Sequence, residues 1–283
     1  MQAMTAIKRE ERIGGQRLIL GDCLGVMQEL GPVDAVFADP PYSSGGQFRG
    51  DRTGATSIKY QSKEYRGLYG EFSGDTRDQR GYAHWSALWL GSARSITRAR
   101  GLLVCFTDWR QLPTTTDAVQ AGGWVWRGVV VWDKTEAARP QKGRFRNQCE
   151  YAVWASQGAA PEAGDCAPGV FRYSVASEQK HHIAGKPVSL YIDMLKICGE
   201  TILDPFMGSG TTLVACQKLG RSGIGIEIDP DYFDIACRRV EEAARQPDLF
   251  VPPPQALEQT SLLTRIDTLT AEHAALRRLG EKS

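Results

Sequence analysis

The chain has 283 residues, 42% of them hydrophobic, and a net charge of +1 at pH 7, enough to bury a sizeable core as one large domain. It contains no run of about 18 apolar residues, and its N-terminal stretch with Lys8, Arg9, Glu10, Glu11 and Arg12 holds no apolar signal segment, so neither membrane attachment nor secretion is expected and a cytoplasmic location is. The near-neutral balance excludes a binder of nucleic acid by bulk charge, and any such surface has to come from local clustering.

In chain order, apolar runs predict strands at residues 17–22, 33–38, 102–108, 129–134, 150–155, 201–204 and 223–228. Helical spacing predicts helices at 23–30, 82–99, 187–197, 211–219 and 231–244. This alternation implies an α/β fold with a largely parallel sheet and helices on both faces. The seven cysteines include no Cys-x-x-Cys pair, and Cys105, Cys198 and Cys216 sit in apolar segments. They read as reduced core thiols, with no metal site and no disulfide frame.

Two segments break the alternation. Residues 43–81 interleave glycines with Arg49, Arg52, Lys59, Lys63 and Arg66 and with Phe48, Tyr60, Tyr65, Tyr69 and Phe72. So long a connection reads as a functional lid, suited to stacking on unpaired bases and gripping a nucleic-acid backbone; a loop without such contacts is the alternative. Residues 156–181 are short and weakly basic, with Arg172 and Lys180 against Glu162, Asp165 and Glu178. A third basic stretch carries Lys134, Arg139, Lys142, Arg144 and Arg146 against Glu136 and Glu150, a balance that would neutralise phosphates or form an ordinary solvated loop. Beyond Arg245 the chain turns proline-rich at Pro247 and Pro252-Pro253-Pro254, a semi-rigid spacer. An apolar stripe from Leu262 to Leu279 then predicts an amphipathic helix. The expected division is a domain over residues 1–250 and a spacer with its helix over 251–283.

The chemistry lies at two strand ends. Asp39-Pro40-Pro41-Tyr42 follows the apolar run 33–38. An exocyclic amine on a base is a poor nucleophile because its lone pair is delocalised into the ring. The Asp39 carboxylate and the Pro40 carbonyl, held side by side by rigid prolines, are two acceptors that would favour a pyramidal nitrogen. Pro41 fixes the turn and Tyr42 is placed to stack on the base; the plain alternative is a proline-fixed turn with Tyr42 in the core.

The second strand end is Asp204-Pro205-Phe206-Met207-Gly208-Ser209-Gly210-Thr211-Thr212. A glycine turn that opens a helix lets a ligand approach bare backbone, but no lysine follows Gly210, so a nucleoside triphosphate is not expected. Glu227 stands at the end of the next strand, about where a carboxylate grips ribose hydroxyls, some ~20 residues downstream of such a turn. Together they suit a nucleoside without a pyrophosphate, such as S-adenosylmethionine. A glycine turn made only for packing, with Glu227 solvated, remains the alternative.

With these residues quoted, the chain resembles the DNA amino-methyltransferases, and the order of its motifs, catalytic before cofactor-binding, is similar to their β subclass. Further resembling stretches are Gly21-Asp22-Cys23, His182 with Lys186-Pro187, Trp132-x-Lys134, and Glu150-Tyr151-Ala152-Val153-Trp154. The resemblance spans residues 17 to 250. It implies a Rossmann-like methyltransferase fold in circularly permuted order, with a mostly parallel seven-stranded sheet that includes one antiparallel strand. It implies methyl transfer from S-adenosylmethionine, leaving S-adenosylhomocysteine, to a base amino group in double-stranded DNA, without a metal.

Carried onto this sequence, it implies cofactor contacts from Asp22, Cys23, Asp39, His182, Lys186, Asp204, Phe206, Gly208, Gly210, Thr211, Thr212, Glu227 and Ile228. Asp22 would meet the adenine, while His182 and Lys186 would close over the methionine part. Aspartate before Pro40-Pro41 leans toward N6 of adenine, with N4 of cytosine as the alternative. RNA or a protein amide as substrate, or a non-catalytic DNA-binding subunit, are more distant readings. The candidate DNA contacts are the basic residues 49, 52, 59, 63, 66, 139, 142, 144 and 146, and residues 156–181 stand where target recognition would lie. A homodimer and a cognate restriction endonuclease are the further partners the resemblance leaves open.

Overall fold

The computed structural model describes residues 5–42, 77–138, 140, 142–162, 164–174 and 186–245. Residues 43–76 of the lid expected at 43–81, Arg139, residues 175–181 of the segment expected at 156–181, His182, and the spacer and helix beyond 245 lie outside the described residues.

The described chain is an α/β layer structure. Its strands are β1 (Ile7–Ile13), β2 (Gln16–Gly21), β3 (Val33–Ala38), β4 (Thr97–Thr107), β5 (Val125–Asp133), β6 (Cys149–Ser156), β7 (Val170–Arg172), β8 (Thr201–Asp204) and β9 (Ser222–Glu227). Its helices are α1 (Cys23–Met27), α2 (Gln79–Ser95), α3 (Leu112–Ala121), α4 (Val188–Leu195), α5 (Thr211–Leu219) and α6 (Pro230–Arg245). The strands form one sheet in the order β1-β2-β9-β8-β3-β4-β6-β5-β7. From β2 to β5 this is the expected mostly parallel arrangement, with β6 antiparallel to both neighbours. Two edge strands were not expected: β1, antiparallel to β2, and β7, parallel to β5.

β3 is buried at every position except the half-buried Asp34, as a strand covered on both faces must be. Its side chains alternate between two helical layers. Val36 and Ala38 join a cluster with Met27, Trp89, Leu90 and Val119, whereas Ala35 and Phe37 join Tyr191, Met194, Leu195 and Cys216. Phe37, Phe106 and Tyr191 close the second layer, with Phe106 stacked on Tyr191 at 5.6 Å. A third cluster packs α6 through Phe233, Ala236 and Val240 against Leu18 and Leu213.

The helix expected over 82–99 ends at Ser95, and Thr97 already belongs to β4. Val33 N–H donates to Ile96 O at 2.8 Å and Thr97 Oγ1 donates back to Ala93 O at 2.7 Å, which closes the helix where the strand begins. β1 escaped notice because charged residues fill it, and cross-strand pairs such as Arg17–Glu10 at 2.8 Å hold it. The helix α3 begins Leu-Pro-Thr-Thr-Thr, which reads as a loop, yet Pro113 is tolerated in the first turn and Thr114, Thr115 and Thr116 are buried. All seven cysteines are free, and Cys23, Cys105, Cys198, Cys216 and Cys237 are buried. Among the described residues no helix is long and apolar enough to cross a membrane.

Candidate active site

β3 and β8 lie side by side and parallel, pairing Ala35 with Ile202 and Val36 with Leu203. From β3 the sheet proceeds to β4, and from β8 it proceeds the other way to β9. The chain reverses its winding there, and such a switch point leaves a crevice beyond the carboxyl ends of the strands. Asp39 follows β3 and the glycine turn follows β8, so the two motifs, far apart in sequence, flank one crevice.

On the β3 side a buried cluster of charge surrounds Asp39. Lys186, with 4% of its side chain exposed, donates to Asp39 Oδ2. Tyr42 O–H donates to Asp39 Oδ1, and Lys186 Nζ donates to Tyr42 Oη at 3.0 Å. On the far side of Lys186 stands Glu150, at 3.6 Å, whose other oxygen accepts from Lys134 at 3.2 Å. The order is therefore Asp39, Lys186, Glu150, Lys134, alternating in sign. Burial alone would depress the Lys186 ammonium, but Asp39 and Glu150 hold it above the ordinary lysine value. Burial opposes the charge of Glu150, and Lys186 and Lys134 outweigh it to keep that carboxyl below its usual range. Burial and then the Asp39 charge push the Tyr42 phenol well above its ordinary value, so it is a standing donor at neutral pH.

On the β8 side the turn is braced from within. Phe206 N–H donates to Asp204 Oδ1 at 2.9 Å and the Thr212 hydroxyl donates to Asp204 Oδ2. Burial pushes the Asp204 carboxyl up to about 7 despite these bonds. Arg239 of α6 donates to Ser209 O at 2.6 Å and to Thr211 Oγ1 at 3.2 Å. Glu227 accepts from Gly208 N–H at 2.9 Å on one oxygen, and from Ile228 and Asp229 N–H at 2.9 Å on the other. Burial raises its carboxyl above the ordinary value.

The two glycines of the turn differ. Gly210, at φ +81°, is packed so that a Cβ would stand 2.9 Å from Ala236 Cβ, whereas Gly208, at φ +50°, faces nothing within 4 Å among the described residues. Packing explains the first glycine; open space over the second is where a ligand can meet bare backbone. Ile228 beside it is half exposed.

Asp22 follows β2 and caps α1, accepting from Leu24 N–H at 3.0 Å and Gly25 N–H at 3.4 Å on Oδ1. The neighbouring Cys23 is buried, and burial pushes its thiol up to about 12. Phe206 lies against Trp85 at 5.3 Å and edge-on to Trp89 at 5.0 Å, and the Arg77 guanidinium covers Trp85 at 4.1 Å. Arg77 interacts electrostatically with Cys23 and Asp22. Sequence reading missed this aromatic wall; the Trp85–Trp89 spacing of one helical turn was the available signal.

The basic residues divide. Lys134, counted with the phosphate-neutralising stretch, is instead paired inward with Glu150, because cross-strand register brings its strand beside Glu150. Arg146 donates to the carbonyls of Glu136 and Ala138, and Arg172 pairs with Glu136 at 2.9 Å. Lys142 and Arg144 stand exposed.

Residues 33–238 match the family model described as N6/N4 DNA methylase. The protein YubD of Escherichia coli (strain K12) is 28% identical over 248 residues, covering 83% of this chain and 98% of that protein. Among solved structures, the M1.HpyAVI–SAM complex is similar at a TM-score of 0.57 and 23% identity, over 80% of this chain and 98% of that one. The PvuII DNA methyltransferase, cytosine-N4-specific, is similar at 0.63 and 14%, over 84% and 94%. These likenesses place the sheet and its helical layers in the Rossmann-like methyltransferase fold.

Proposed function

The chain belongs to the N6/N4 DNA methylase family, and we propose that it transfers the methyl group of S-adenosylmethionine to the N6 amino nitrogen of an adenine extruded from double-stranded DNA. The observation that carries this reading is that Asp39 and the Gly208 turn follow the carboxyl ends of two adjacent parallel strands, the place where a switch point offers a ligand crevice.

The residues present fit the cofactor. Bare backbone at Gly208 leaves room for it, and Glu227 Oε2, with one bond to Gly208, keeps acceptor capacity for ribose hydroxyls. Asp22 spends Oδ1 on its helix cap, which leaves Oδ2 as the acceptor we assign to the cofactor adenine. The similar M1.HpyAVI protein forms a complex with the same ligand. When bound, S-adenosylmethionine supplies a methyl group already activated on a sulfonium, so orientation and electrostatics remain for the protein.

Asp39 and the Pro40 carbonyl accept the two amino hydrogens, directing the nitrogen lone pair toward the methyl in line. Each Asp39 oxygen is already engaged, one by Tyr42 and one by Lys186, but a carboxylate oxygen holds a second lone pair. Lys186 fixes the carboxylate, and Tyr42 borders the base. Transfer would release S-adenosylhomocysteine, and the surplus proton of the methylated amine would pass along its hydrogen bond to Asp39 and on to water. Flipping supplies access, because an amine inside the duplex cannot reach Asp39.

N4 of cytosine is the second reading, favoured by the likeness to the cytosine-N4-specific PvuII enzyme. Hydrolysis of methylated DNA to nucleosides separates the two. Incubation with radiolabelled cofactor and DNA tests the common claim: label in DNA supports it, and bound cofactor without label in DNA overturns it.

A further inference from the structure

We propose that the β5–β6 hairpin enters the duplex beside the target base, with Phe145 as an apolar wedge in the base stack and Lys142 and Arg144 on the flanking phosphates. The inference rests on the reading above and names the element that holds the gap.

Phe145 is fully exposed, at 101%, well beyond the other large apolar side chains on the described surface. Its neighbours on either side are Arg144 and Arg146, with Lys142 just before. An apolar ring set among cations matches a ligand that offers stacked rings between phosphates.

Strand direction fixes the end of the sheet at which the loop lies. β5 runs parallel to β3 through the intervening β4 and β6, so the hairpin turns at the same sheet edge where Asp39 follows β3. Its stem meets the site directly, for Glu150 of β6 stands 3.6 Å from the Lys186 that holds Asp39. Phe145 is five residues before Glu150, at most about 18 Å along an extended chain.

The loop is also braced. Lys134 N–H donates to Gln148 O at 2.9 Å, Gln148 Nε2 donates to Asp133 Oδ1 at 2.6 Å, and Thr135 N–H shares that oxygen at 2.8 Å. Arg146 ties down the carbonyls of Glu136 and Ala138. A ring on such a loop is presented at low ordering cost.

The test compares wild type, Phe145→Ala and Phe145→Trp on a duplex carrying the sequence the wild-type protein methylates in genomic DNA. One version pairs the target base and one places it opposite an abasic site. The expected result is a loss of about tenfold or more in kcat/KM for Phe145→Ala on the paired duplex. That loss shrinks to within about twofold where pairing no longer opposes extrusion, and Phe145→Trp stays near wild type. Equal rates for Phe145→Ala and wild type on the paired duplex, or equal losses on both duplexes, overturn the wedge while methylation stands. A wild-type protein that methylates no DNA overturns the functional reading and the wedge with it. Unchanged cofactor binding by Phe145→Ala excludes misfolding as the cause.

Discussion

Lys186 donates to Asp39 across 147 positions of sequence, and this partly buried bond joins the segment before α4 to the turn after β3. Truncating it leaves Asp39 and Glu150 facing one another with no cation between them. Breaking a fully buried pair by removing one partner costs about 3–5 kcal/mol; with Asp39 26% and Glu150 24% exposed, Lys186→Met is expected to lose less than that by urea unfolding, about 1–3 kcal/mol. The double variant Lys186→Met/Asp39→Asn should lose less than Lys186→Met alone, because the carboxylate left without a cation is then gone, whereas Glu150 keeps Lys134 at 3.2 Å. Additive losses would contradict the coupling.

Gly208→Ala separates strain from ligand contact. Its φ of +50° makes alanine unfavourable, at about 1–2 kcal/mol, but no atom of the described residues opposes the new methyl. Cofactor affinity, by calorimetry, should fall by about tenfold or more as the Cβ enters the ligand's space. Unchanged affinity would mean that the turn is built for the fold alone.

Asp204 gives stability a pH dependence of defined sign. Burial raises its carboxyl to about 7 in the folded protein, against roughly 3.9 unfolded. Between those values the folded state holds a proton that the unfolded chain has released, so this residue favours folding most in acid and its contribution declines as pH rises toward 7. Wild type should lose about 2–3 kcal/mol relative to Asp204→Asn between about pH 5 and pH 8. Identical pH slopes for the two proteins would remove Asp204 as the cause.

The hairpin carries a salt signature. If Lys142 and Arg144 each neutralise one phosphate, the slope of log K against log salt becomes shallower by about 0.9 for each alanine substitution. Titration of the double variant with duplex DNA at several salt concentrations should give about twice that change. A parallel shift with the wild-type slope would place both cations away from the DNA.

Much of this was legible because buried parallel strands are written as plain apolar runs. The bounds of β3 and β8 were readable residue by residue, and with them both strand-end motifs. What was not legible depended on cross-chain pairing. Lys134 and Glu150 look like two solvated charges of one loop until the β5–β6 register brings them together. Lys186 read as a cofactor contact, but no spacing announces its bond to Asp39. Glu227 and Thr212 were expected on a ligand and are also internal braces of the turn, a role any carboxylate or hydroxyl at a strand end can take. The edge strand β1 hid behind its charges, since an edge exposed to solvent needs no apolar run.

The most direct measurement is to incubate wild type and Asp39→Ala with unmethylated genomic DNA and S-adenosylmethionine, verify cofactor binding by each, and sequence the DNA for methylated bases. The account predicts N6-methyladenine at one short recurring sequence with wild type, and none with Asp39→Ala although it still binds the cofactor. Methylation by Asp39→Ala at the wild-type rate, or no methylated base from a wild-type protein that binds the cofactor, would contradict it.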